Sequence, residues 1–281
     1  MTVEQIINDI DHLEPIPAVA NQILELTQNP DVNIGDVAAL ITHDAAITAN
    51  ILKTVNSAYF GLKRKIESVQ DAVVMLGLNP IVELVFMQTS ASNLKKAYVG
   101  YDLEEGDLWR HSAVSAILAR MIAQKQEMQN VNRVFTAALL KDIGKVVLNQ
   151  YVRDGFKDIQ YLVHEQHYSF KAAEEEVIGI GHDELGGIVA EKWNFSNQLA
   201  YIIRHHHLTD PKADKDLETC VVYLADVICS SMGIGAGSDG LAYHFIQAVM
   251  ERLGYDQNGI EALILAYAIK KKEIDALIDA Y

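Results

Sequence analysis

Five places in the chain carry residues suited to metal or acid–base chemistry: His111 in "DLWRHSAVSAILARMIA", Lys141-Asp142 in "TAALLKDIGKVVL", His182 in "IGIGHDELGG", the run His205-His206-His207, and Asp226 in "VVYLADVICSS". Imidazole nitrogens and carboxylate oxygens are the ligands that divalent transition ions take up. Each place also has a plainer reading. His111 shares a helix face with Val114, Leu118 and Met121 or Ile122, so it is expected to be buried with a hydrogen-bond partner or a metal. Asp142 follows Leu139 and Leu140. At a helix C-terminus it would oppose the macrodipole, so it is either turned to solvent or held by a cation. His182 reads as a turn residue ahead of a helix capped by Asp183. Three adjacent histidines point in different directions, so at most two of them share a target. Asp226 has an apolar residue on nearly every side and reads as the most buried acid, paired or ligating.

These residues need helices to carry them. Apolar residues recur at three- and four-residue spacings and alternation of period two is rare, which predicts an all-α protein. Pro15 and Pro17 sit at the entry of a helix within 14–30 that Asn29-Pro30 ends. Asn33 and Ser68 are expected N-caps, the latter with Asp71 three residues on. The stretch 45–61 reads as one helix broken at Gly61, and Asn79-Pro80 as the start of the next. The segment "KKAYVGYDLEEGD" (95–107) is polar and is the candidate boundary between an N-terminal helical lobe (1–95) and a second lobe (96–281). In the second, the helix through Lys141 and Asp142 is expected to stop at Gly144. The glycine-rich "GIGAGSDG" (233–240) lacks a preceding strand and a Gly-Lys-Ser/Thr ending, so it is a connection and not a phosphate loop. Two further helices should close the chain.

The formal net charge of −15 over 281 residues speaks against nucleic acid as a partner, because such binding rests on neutralising phosphates. The basic runs "LKRK" (62–65) and "KKK" (270–272) read as solvated helix ends. Cys220 and Cys229 form neither a metal pair nor a disulfide framework, which fits a reducing cytoplasm. Neither a signal peptide nor a membrane span is expected, and no membrane partner.

Taken in order, His, then Asp after an apolar helix, then His, then His-His, then a buried Asp resembles the HD superfamily of metal-dependent phosphohydrolases. There "KDIGK" would read His-Asp-Ile-Gly-Lys. His182 and the His205–His206 pair resemble those of the HD-GYP branch, which cleaves cyclic di-GMP. "IPAVANQILEL" (16–26), "NSAYFG" (56–61), "IESVQDAVVMLGL" (66–78) and "WNF…IIRHHH" resemble the HDOD family, HD-related output domains of bacterial signalling. That resemblance implies an HD-type helical lobe beside an N-terminal helical lobe, and a regulatory role more often than a catalytic one. HDOD modules are often fused to receiver or cyclic-di-GMP-turnover domains. No such fusion is expected from these residues, and input and output are expected from partner signalling proteins.

The HD pattern places one metal on His111, Lys141, Asp142 and Asp226. A protonated lysine has no lone pair to give. Lys141 is therefore expected either to turn toward Asp142 or Asp226 and stand in for part of the metal's charge, or to face solvent. Asp142, His182 and His205 or His206 would still form a second ligand set. The expected cofactor is one divalent transition metal (Fe, Mn, Ni or Zn) or none. Lys145 matches the lysine of the HD motif's Gly-Lys and would attract phosphate if the site is active. The leading expectation is a signalling module with a degenerate HD site that binds a protein or a small ligand, such as a nucleotide. The alternative is a phosphohydrolase acting on a nucleotide or cyclic dinucleotide, and the plainest reading is a scaffold with structural histidines.

Overall fold

A computed structural model describes residues 2–27, 29, 31–235, 237 and 245–281. The described residues form α-helices and three short 3-10 turns with no strand; one isolated antiparallel bridge joins Tyr98 to Leu103. The all-α expectation holds. The first helices are α1 (Val3–Asp9), α2 (Ala18–Leu26), α3 (Ile34–Thr42), α4 (Ala45–Val55), α5 (Val69–Leu76) and α6 (Leu78–Leu94). After a polar stretch come α7 (Asp107–Lys125), α8 (Val131–Leu140), α9 (Ile143–Asp154), α10 (Phe156–His164), α11 (Phe170–Ile178), α12 (His182–Lys192), α13 (Asn197–Arg204) and α14 (Leu217–Ser231). Among the described residues three helices, α15 (Gln247–Arg252), α16 (Gln257–Ile269) and α17 (Lys271–Ile278), follow where two were expected. One break falls at Leu253-Gly254, where Gly254 takes φ +62°, a conformation that costs glycine little.

The long apolar helix α6 lies between the two sets. It touches α2, α4 and α5 on one side and α7, α8 and α9 on the other. Helices α7, α8 and α14 pack on one another, and α12 packs on α13 and α9. Buried apolar side chains from Ile6 to Ile278 form one contiguous cluster. A partly buried ion pair, Arg120 Nη1 to Glu83 Oε2 at 2.5 Å, ties α7 to α6.

Asn33 and Ser68 cap α3 and α5 through side-chain acceptors, as expected. Elsewhere local chemistry shifts the ends. Helix α4 stops at Val55 and does not run to Gly61, where the Asn56 side chain ties the helix end to the following segment. Its amide donates to the carbonyls of Leu52 and Ile66 and its oxygen accepts from Ile66 N–H. Helix α6 starts at Leu78, behind Gly77 at φ +85°, so Pro80 lies within the first turn, where a missing N–H costs nothing. The expected stop of α2 rests partly on Pro30, which lies outside the described residues, as do Ala236 and Ser238–Gly240 of the glycine-rich connection.

Candidate metal centre

The helix carrying "AALL" ends at Leu140 and a new one opens at Ile143, so Lys141 and Asp142 occupy the corner between α8 and α9. Gly144 therefore does not end a helix; it lies in the first turn of α9. A Cβ there would sit 1.9 Å from the carbonyl oxygen of His182. Only glycine lets α9 meet the start of α12, and this approach brings His182 beside Asp142. The corner also reverses the dipole argument. Asp142 stands at the N-terminus of α9, where the macrodipole favours a carboxylate.

Helix α7 supplies His111, α14 supplies Asp226, and His182 is the first residue of α12. Asp183 does not cap α12. The acceptor for its first N–H is Glu174 Oε2, at 3.0 Å from His182 N. Helix α13 stops at Arg204, and the following turn carries His206 and His207 inward, both buried. His205 is turned away: its ring lies tilted against Tyr201, with ring centroids 4.4 Å apart, and belongs to neither cluster described below. The second imidazole of this turn is thus His207, not His205. Adjacent residues in a non-helical turn diverge, and their phase cannot be read from the run of letters.

Two clusters share Asp142. In the first, the ligand atoms of His111, Asp142 and Asp226 lie within 4.8 Å of one another. The ammonium of Lys141, wholly buried, sits among them. It donates to Asp142 Oδ2 and lies 2.8 Å from Asp226 Oδ1. His111 Nδ1 donates to the Ile234 carbonyl at 2.9 Å, and Nε2 meets Asp226 Oδ1 at 2.8 Å. Burial and the nearby Lys141 both push the His111 ring down, yet the hydrogen bond to Asp226 helps carry its pKa up to about 10. Burial raises both carboxyls, but Lys141 outweighs it and, with Lys145 at Asp142 and His111 at Asp226, holds both below the usual carboxylate range. Burial works against the Lys141 ammonium too, and Asp142 and Asp226 overcome it. A lysine in this position does not fit a metal ligand; it fits the cation itself.

The second cluster is His182, His206 and His207, again within 4.8 Å. Asp142 Oδ1 closes it, 3.7 Å from His182 Nε2 and 4.0 Å from His206 Nε2. His206 Nδ1 donates to the Ile203 carbonyl at 2.7 Å, so in the neutral ring Nε2 carries the lone pair. That Nε2 is buried and has no hydrogen-bond partner. Burial pushes His206 down to about 4 and His207 well below the ordinary histidine range, which favours neutral, ligating rings. Three imidazoles, a carboxylate and an orphaned lone pair fit one divalent transition ion. Replacing His207 with Ala is expected to weaken Co(II) binding by more than about tenfold. The same change at His205 should leave it unaltered, as read by equilibrium titration.

Lys145, on the first turn of α9, lies 2.8 Å from Asp142 Oδ1 and 5.7 Å from the centroid of Tyr101. It is buried, so its ammonium balances Asp142. Glu174 and Tyr101 are further parts of the centre that residue types alone do not single out. Glu174 is wholly buried, although the run Glu174-Glu175-Glu176 suggests solvent. The available signal is helical phase: Phe170, Ala173, Glu174 and Ile178 share the buried face of α11. Asp226 is buried, though Glu174 and Asp142 are more so.

An all-helical protein with histidines and aspartates converging from α7, the α8–α9 corner, α12, α13 and α14 has the plan of an HD-type domain. The HDOD domain matches residues 13–209, and the chain belongs to the HDOD family. An HDOD domain protein of unknown function from Geobacter sulfurreducens has a similar structure: TM-score 0.74, 26% identity, 100% of this chain and 99% of that one. Among curated proteins, an uncharacterized protein of Treponema pallidum (strain Nichols) is 26% identical over 70% of this chain and 38% of its own length. The uncharacterized protein YuxH of Bacillus subtilis (strain 168) is 27% identical over 37% of this chain and 24% of its own. The chain thus spans well under half of the curated relatives it matches. Among the described residues, no helix is long and apolar enough to cross a membrane.

Proposed function

We propose that this chain is a signal-transduction module of bacterial type whose HD centre is kept as a binding and structural element and no longer as a two-metal hydrolase. The observation that carries this reading is the buried Lys141 ammonium between Asp142 and Asp226. A second metal at that position would have to displace a cation already paired with both carboxylates. His182, His206, His207 and Asp142 would hold the remaining ion, whether Fe, Mn, Ni or Zn. A bound ion there would supply Lewis acidity and a water of lowered pKa. Two-metal hydrolysis uses a pair of ions to stabilise both the attacking and leaving oxygens, and only one position here is open to an ion. The module would work inside the cell by binding a partner signalling protein or a small ligand, with the ion fixing the relative positions of α9, α12 and α13.

A second reading, a phosphohydrolase acting on a nucleotide or cyclic dinucleotide, draws support from the intact three-histidine set and from Lys145. The assay that separates the two is hydrolysis of bis(p-nitrophenyl) phosphate and cyclic di-GMP by protein loaded in turn with Mn, Fe, Ni and Zn. No turnover above the metal-only control is expected. Turnover that disappears in Asp142→Asn would establish the hydrolase instead.

A further inference from the structure

Behind His182 stands a relay of buried groups. Tyr101 is the last residue of the 3-10 turn Val99–Tyr101, which is seated against α9: Gly100 N–H donates to Asn149 Oδ1 at 2.9 Å. A Cβ on Gly100 would lie 2.3 Å from the Asn149 carbonyl oxygen, so the turn rests directly on the helix backbone. The Tyr101 hydroxyl donates to Glu174 Oε1 at 2.5 Å. Glu174 Oε2 accepts twice from His182, from its backbone N–H at 3.0 Å and from ring Nδ1 at 2.6 Å. Tyr101, Glu174 and His182 are all 0% exposed. Both Glu174 oxygens are thus engaged, and neither is turned to the cluster as a ligand.

We propose that Glu174, anchored by Tyr101, is the positioning residue of the three-histidine centre. It holds the proton on His182 Nδ1 and so makes Nε2 the atom offered to an ion. A carboxylate that accepts from the outer nitrogen of a ligating imidazole fixes its tautomer and orientation and raises its basicity. The double grip on ring and backbone also locks the first residue of α12, so the ring cannot rotate without breaking the start of the helix. His206 reaches the same state through a backbone carbonyl, at Ile203. His182 is therefore the one imidazole of the two that is tuned by a charge, and the strength of the centre should follow Glu174.

This inference rests on the metal-binding reading of the centre, and the test separates the two. The first measurement is Co(II) titration followed by visible absorption, on wild type, Glu174→Ala, Glu174→Gln and Tyr101→Phe. The second is the ring-nitrogen NMR spectrum of His182 in the same proteins without metal. Glu174→Ala should raise the Co(II) dissociation constant by about 10–100-fold and move the His182 proton from Nδ1 to a mixture of the two nitrogens. Glu174→Gln keeps an acceptor but loses the charge, so it should keep the tautomer and weaken binding less. Tyr101→Phe should shift both readouts in the direction of Glu174→Ala and remains informative if that variant does not fold. An unchanged tautomer in Glu174→Ala and Tyr101→Phe would overturn the proposal. Weakened Co(II) binding with an unchanged tautomer would make Glu174 a ligand, and would also overturn it. A wild type that binds no Co(II) would refute the metal reading alone, because the metal-free spectrum still judges the positioning role.

Discussion

Lys141→Ala, compared with wild type in the presence of a chelator, should lose about 3–5 kcal/mol of stability, the cost of removing one partner from a buried ionic group. For a chain of this size that corresponds to a fall in Tm on the order of 10 °C. The cause is specific. Asp142 and Asp226 are buried and face the same ammonium; without it Asp226 keeps only His111 as a neighbouring cation, and Asp142 keeps Lys145 and the more distant His111. The loss should depend on pH with a definite sign. In the wild type both carboxyls are held below their ordinary range, so their contribution is complete above the unfolded carboxylate pKa near 4 and fades as pH falls below it. In the variant the pair resists ionisation, so neutral pH becomes unfavourable. The gap between wild type and variant should therefore be widest near pH 7 and narrow toward pH 4. Denaturant midpoints at both pH values measure this. A gap that does not change with pH would mean that the lysine contributes packing and not charge.

Asp142→Asn should be equally damaging and should also empty the centre. This one carboxylate faces Lys141 with Oδ2 and Lys145, His182 and His206 with Oδ1. Neutralising it leaves the buried Lys141 ammonium with Asp226 alone, takes the Asp142 charge away from buried Lys145 and removes the anion that closes the three-histidine cluster. A loss of about 3–5 kcal/mol is expected, together with loss of metal from the purified protein. Because the penalty comes from unpaired charge, Lys141→Met combined with Asp142→Asn should be less harmful than the sum of the two single changes. The expected coupling is about 0.5–3 kcal/mol, read from a double-mutant cycle. Simple additivity would place the two side chains in independent environments, contrary to their contact in the structure.

These expectations depend on details that are partly legible in the sequence. Helical periodicity carries the fold class. The resemblance of the chain order to the HD pattern is what groups His111, Asp142, His182, His206 and Asp226; the inability of an ammonium to ligate leaves Lys141 either turned toward the carboxylates or facing solvent, and the structure has it on the carboxylates. What periodicity cannot convey is where a helix bends. The corner at Lys141-Asp142 and the passage of Gly144 through α9 depend on α12 pressing against that glycine, a contact between residues far apart in the chain. The choice between His205 and His207 is likewise set by the turn after Arg204, whose rotation is fixed by packing. Glu174 escapes because three consecutive glutamates resemble a solvated face; only the phase of Phe170, Ala173 and Ile178 marks the first of them as buried.

The central claim is that the Lys141 ammonium occupies one ion position while the other is intact. It is tested most directly by elemental analysis of wild type and Lys141→His purified without chelating resin. About one equivalent of divalent transition metal per chain is predicted for the wild type, rising toward about two when the imidazole replaces the ammonium. Two equivalents in the wild type, none, or the same content in both proteins would contradict it.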